Sequence, residues 1–185
     1  MTELISKWVT CDGGPLLLVA KEHLCAWEGV ANPSANRKVE TRFRWNPEGP
    51  ATDYDRACDV DDYLGLIDVG YGKGLVLGQE PFMTTWLPQN DGGVLVRWVF
   101  AEDEEKVLTT ASSIPNESYQ DSGLSFVVGD SSLVLLAACE SSKDQIYPRL
   151  EFEVTRGQYR ILTTHYDADE NTSLLCHRLK LQISN

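Results

Sequence analysis

The chain is poor in close cysteine pairs, histidine, basic charge and long apolar runs, and each shortage closes off a class of function. Its five cysteines, Cys11, Cys25, Cys58, Cys139 and Cys176, are odd in number, scattered, and never form a CxxC pair. A disulfide framework or a structural zinc site needs even numbers or close pairs, so these read as reduced thiols acting as small hydrophobes. Apolar runs such as LLLVA at 16–20 fall far short of the about 20 residues a membrane helix needs. The opening MTELISKWVTCDGG has no basic region followed by an apolar one, so it does not read as a signal peptide. A cytoplasmic protein is expected. Lys and Arg number 16 against 28 Asp and Glu, a net charge of −12. Such a chain repels phosphate backbones, so neither direct nucleic-acid binding nor a membrane partner is expected. The same acidity keeps a protein soluble and steers a basic partner toward it.

What is present is an ordinary globular composition: 42% hydrophobic and 24% charged residues argue against wholesale disorder in a chain of 185. WVTCDGGPLLLVAKEHLCAWEGV reads as strand, turn, strand and short helix, with Leu24 and Trp27 on one helical face and Gly29 ending it. Residues 30–52 are loop-rich and carry the basic cluster Arg37, Lys38, Arg42 and Arg44, with Phe43 and Trp45 interleaved; a surface hairpin is expected. Residues 63–77 predict two strands around a glycine-rich turn, and residues 94–100 a β-branched strand. AEDEEKVLTTA at 101–111 predicts a helix whose acidic start suits the dipole and whose Val107, Leu108 and Ala111 form a core stripe. From Gly123 the pattern is almost all β. LSFVV and LVLLAA predict a hairpin, RLEFEV alternates cleanly, and QYRILTTHY and TSLLCHRLKL close the chain. The expected fold is α+β, β-dominated, with antiparallel sheets and two short helices. A lobe over 1–112 and a mostly antiparallel β lobe over 123–185 are separated by a break at 114–122, unless both form one compact domain.

The segment DYDRACDVDDYLGLIDVGYGKGLVLGQEP at 53–81 crowds Asp53, Asp55, Asp59, Asp61 and Asp62 together. An EF-hand register fails from either Asp53 or Asp59, since the glycine at position six and the glutamate at twelve are missing. The glycines at 70, 72, 74 and 78 match neither dinucleotide nor Walker spacing, and a strand rather than a helix follows them. No G-x-S-x-G elbow exists, and Cys176 and His177, adjacent on a strand, point to opposite faces. His165 on the neighbouring strand is the remaining candidate to pair with Cys176, against a structural role for that histidine. If Asp53 caps a short helix, Asp55, Asp59 and Asp62 share one face while Tyr54, Ala57 and Cys58 occupy the other.

GGPLLLV (13–19), the helix ending at Trp27, DYDRACDVDDYLGLIDVG (53–70), LVLGQEP (75–81), Trp86 and VRWV (96–99) together resemble the immunity protein 21 family of bacterial polymorphic toxin systems. The similarity continues through GQYRILTTHYDADENTSLLCHRL (157–179), and residues 30–52 stand as an insertion within it. The resemblance implies a non-enzymatic antidote without cofactors that binds one cognate protein toxin. It implies structural roles for Gly13, Gly14, Trp27, Asp53, Tyr54, Asp55, Arg56, Gly65, Gly78 and Trp98: turns, a buried aspartate–arginine pair and core aromatics. For a cationic nuclease, Asp59, Asp61, Asp62, Glu102, Asp103, Glu104 and Glu105 are the expected contacts. For a toxin of other chemistry, Phe43 and Trp45 are the expected anchors. The rival readings are a small Mg-dependent hydrolase using the carboxylates at 53–62 and a structural or ligand-binding β module.

Overall fold

The computed structural model describes residues 7–34, 40–144 and 146–182. Among them are strands β1 (Leu16–Ala20), β2 (Leu64–Val69), β3 (Gly72–Leu77), β4 (Thr84–Gln89), β5 (Gly92–Phe100), β6 (Gln120–Val128), β7 (Ser132–Ala137), β8 (Leu150–Glu153), β9 (Gly157–Asp169) and β10 (Thr172–Leu181). Helices α1 (Asp53–Cys58) and α2 (Glu104–Ser113) and 3-10 turns at Lys21–Ala26 and Asn116–Ser118 complete the set. The strands form two antiparallel sheets, ordered β2-β3-β1-β7-β8 and β4-β5-β10-β9-β6, so the β-dominated α+β expectation holds.

The chain divides into two compact units, each built around one sheet and each discontinuous in sequence. The first contains Phe82–Val128 and the chain from Thr155 onward; the second contains Val9–Pro81 and Gly129–Val154. Residues 114–122, where a break was expected, fall inside the first unit.

In the second unit, β1 and β7 are buried at every position and pair with each other at the centre of the sheet. Their unbroken apolar character reflects this, since a strand buried on both faces has no solvent side to mark with polar residues. One face packs Leu17, Val19, Val76, Val134 and Leu136 against Trp27, Tyr54 and Ala57. The Trp27 indole N–H, fully buried, donates to the Ala138 carbonyl at 3.0 Å.

In the first unit, α2 lays Val107 and Ala111 on Val94, Val96, Leu174 and Cys176. Its N-cap is Asp103, whose carboxylate accepts the Lys106 N–H at 2.8 Å. Pro88 sits in β4, an edge strand, where a missing N–H costs no ladder bond.

Three local expectations are corrected. β6 and β7 do not form a hairpin, because they belong to different sheets. β7 is buried throughout and needs a neighbour on each side, whereas β6 is half exposed and suits an edge. His165 does not face Cys176: the register sets it opposite Leu175, and Cys176 opposite Thr164. Residues 42–45 are not a strand, for a reason given below.

Candidate functional site

The acidic run at 53–62 is resolved by the structure carboxylate by carboxylate, and each has a different partner. Helix α1 is capped by Thr52, not by Asp53: the Thr52 hydroxyl accepts the Asp55 N–H at 3.2 Å, and the Asp55 carboxylate accepts the Thr52 N–H at 2.8 Å. Asp53 therefore stands one residue inside the helix, 2% exposed. It accepts the Ser34 hydroxyl at 2.5 Å, the Glu28 N–H at 3.0 Å and the Arg56 guanidinium at 2.8 Å. Arg56 reaches on to the Asp68 carbonyl at 2.6 Å. This buried pair ties α1 to β2 and to the two chain segments around Glu28 and Ser34.

Asp55 and Asp59 lie one helical turn apart and turn toward residues 42–45. The Asp55 carboxylate accepts the Trp45 N–H at 2.7 Å. Asp59 accepts the N–H groups of Arg42 and Phe43 at 2.7 and 2.8 Å, and its carbonyl accepts the Arg42 guanidinium at 2.8 Å. Charged acceptors of backbone N–H groups form strong hydrogen bonds. Here they take up donors that a strand would otherwise place in a ladder, which is why residues 42–45 run as an arch instead of a hairpin. The expected acidic face of Asp55, Asp59 and Asp62 does not form. α1 ends at Cys58, Asp55 is fully buried, and Asp62 folds back onto the Tyr63 N–H at 2.6 Å.

The arch presents two aromatic rings. Phe43 and Trp45 meet the edge or face of Tyr54 in T-shaped contacts, with centroids 6.2 and 6.0 Å away, a favoured aromatic geometry. Tyr54 is buried, and that burial drives its phenol pKa well above the ordinary range. Trp45 remains 66% exposed and Phe43 38%. Behind Tyr54, Gly14 leaves no room for a side chain, since a Cβ there would meet the phenol oxygen at 2.5 Å. Arg42, next to Phe43, bridges at 2.7 Å to Asp61, whose carboxyl it holds below the usual range. The arch and the 59–62 segment thus form one surface.

Glu102, Asp103, Glu104 and Glu105 belong to the other unit. Asp103 is spent on the helix cap, and Glu102 borders a small open cleft with Lys106, Asp169, Asn171 and Thr172. Arg37 and Lys38 lie outside the described residues. Arg44, from the same cluster, donates to the Gly49 carbonyl at 3.1 Å. Gly65 faces Val60, Gly78 approaches the Asp62 carbonyl, and Trp98 stacks at a tilt on Trp8 with centroids 5.4 Å apart.

Each carboxylate at 53–62 is aimed at its own protein donors, and among the described residues no three His, Cys, Asp or Glu side chains are grouped to hold a metal ion. Burial pushes the Cys176 thiol up to about 12, away from the thiolate a nucleophile requires. Sequence reasoning passed over Ser34 and Thr52. It also passed over Glu140, which is 2% exposed, accepts the Tyr147 N–H at 2.8 Å and pairs with Arg149 at 3.3 Å. The available signal for Glu140 was an acid directly following the apolar run at 133–139. No helix among the described residues is long and apolar enough to cross a membrane.

Comparison with known proteins agrees with the motifs read from the chain. The family model of immunity protein 21 matches residues 7–172 of the 185. No curated protein and no solved structure matches the chain. A match over that length, covering the whole of α1 and β1 through β9 and stopping at the start of β10, makes this chain a member of the immunity protein 21 family.

Proposed function

We propose that this protein is a non-catalytic antidote, acting in the bacterial cytoplasm, that binds one cognate toxin and blocks it by covering it. The observation that carries the reading is the arch at 42–45, pinned by three backbone N–H groups to Asp55 and Asp59 while Phe43 and Trp45 stay exposed beside Asp61. Rigid aromatic anchors with a charged rim are the usual anatomy of a tight protein interface. A surface ordered before contact gives up less entropy on binding. Family membership supports a toxin as the partner.

The charge supports a cationic toxin, for example a nuclease with a basic phosphate-binding cleft, because a −12 chain attracts such a surface from a distance. Asp61 and Asp62 rim the contact, Glu102, Glu104 and Glu105 add acidity on the other unit, and Asp59 positions the arch. The deciding experiment is co-expression with the toxin encoded beside this gene, followed by titration of the two purified proteins. Rescue of growth and a stoichiometric complex are expected. Killing that continues despite soluble antidote sinks the reading.

A further inference from the structure

Among the described residues, the β2 edge of the second unit's sheet has no neighbouring strand. β2 and β3 keep a single register from Leu64↔Leu77 to Val69↔Gly72, and the Gly78 N–H continues it by donating to the Tyr63 carbonyl at 3.0 Å. Residues of an antiparallel ladder alternate between directing both main-chain groups at the partner and directing both away. Tyr63, Gly65, Ile67 and Val69 therefore face β3, and Leu64, Leu66 and Asp68 face outward. The rest of the sheet agrees. The Ala138 N–H donates to the Pro15 carbonyl at 3.0 Å, which turns Leu17 and Val19 toward β7 and Leu16 and Leu18 toward β3. That leaves Gly72, Gly74 and Val76 for β2. The outward Asp68 carbonyl is where the Arg56 guanidinium arrives, at 2.6 Å. Among the described residues, nothing hydrogen-bonds the outward N–H and C=O groups of Leu64 and Leu66.

The other edges are defended. β4 carries Pro88, the β6 ladder is interrupted between Asp121 and Ser125, and β8 is only four residues long and carries Glu153. Short length, proline, charge and bulges are the devices that keep edges from pairing with other chains. In LGLIDV the one charge, Asp68, is paired with Lys73 at 2.5 Å.

We infer that the β2 edge at Leu64 and Leu66 receives an extended segment of the cationic toxin as an added strand. The inference rests on the toxin-binding reading and names the backbone that engages. Strand addition draws affinity from main-chain bonds, and four outward groups are on offer. The occupant is cationic because the chain carries −12 overall and exposed Asp62 lies just ahead of the strand, whereas a second copy would bring together two bodies of −12 each.

The test is amide hydrogen exchange on the full chain, free and with a purified inactive variant of the toxin encoded beside the gene. The Leu64 and Leu66 amides should exchange fast in the free protein and slow by about tenfold or more in the complex, while Gly65 and Ile67 are protected in both. Leu66→Pro removes an outward donor and no ladder bond, so the hairpin survives and affinity falls by about tenfold or more. Leu66→Ala keeps the N–H and the affinity. A complex in which Leu64 and Leu66 stay unprotected, or which Leu66→Pro forms with full affinity, overturns the edge assignment and leaves toxin binding standing. No complex with the unaltered chain overturns both. A dimer of this chain that Leu66→Pro abolishes gives the edge to a second copy and overturns the toxin assignment.

Discussion

The carboxylate of Asp55 lies 2.7 Å from the backbone nitrogen of Trp45, so a fully buried acid holds the most exposed aromatic ring of the arch in place. The acidic run and the aromatic pair, ten residues apart in sequence, are therefore one device. Buried Asp55 and half-buried Asp59 order the loop, and the loop leaves its aromatic rings exposed.

Removing that acceptor should cost stability. Asp55→Ala strands the N–H groups of Trp45 and Thr52 and undoes the capping box. A loss of about 1–3 kcal/mol is expected by urea denaturation, because both stranded donors are part-buried and a buried donor left unpaired costs about 1–3 kcal/mol. Full stability in the variant would show that the arch is held by other contacts.

The exposed ring should matter for binding and little for folding. Trp45→Ala is expected to weaken toxin binding by about 2 kcal/mol or more, as central aromatic anchors do. Its thermal midpoint should stay near that of the unaltered chain, since 66% of the residue's surface is already in water. Calorimetric titration beside a melting curve separates the two effects.

Asp61 and Asp62 should act on the rate of encounter. Replacing both with Asn is expected to lower the association rate and flatten its salt dependence, with dissociation nearly unchanged. Stopped-flow mixing across a range of ionic strength checks this. Salt-independent association of the unaltered pair would remove the electrostatic part of the reading.

His177 should make the fold sensitive to mild acid. It is fully buried on β10, its Nδ1 lies 2.9 Å from the Thr163 hydroxyl, and its pKa is held well below 6.5, first by burial and then by the nearby Arg97. The folded state refuses a proton that the unfolded chain accepts. Stability is therefore complete above pH ~6.5 and declines as pH falls below it, with a slope of up to about 1.4 kcal/mol per pH unit for one proton. Denaturation curves between pH 7.5 and 5 should show this slope, and His177→Gln should reduce it.

Much of the architecture was legible from periodicity alone. TSLLCHRLKL coincides with β10, Val107 and Ala111 of the expected stripe are buried on α2 while Leu108 is only half-buried, and the unbroken apolar runs are the central strands β1 and β7. Alternation and amphipathicity report the environment of each segment taken singly, and these segments have simple environments. They do not report which strand lies next to which, so LSFVV and LVLLAA looked like a hairpin although they serve different sheets.

The sequence by itself determined the family and the predominance of β structure, because motif residues and hydrophobic periodicity are carried by each segment taken alone. Only the tertiary structure decided that Asp55 and Asp59 turn inward. Apart from the local Thr52 N–H, their partners are backbone N–H groups 10 to 17 residues away, and every residue except proline carries such a group. Which of those donors lacks a partner, and comes within reach of a carboxylate, is settled by the path of the folded chain.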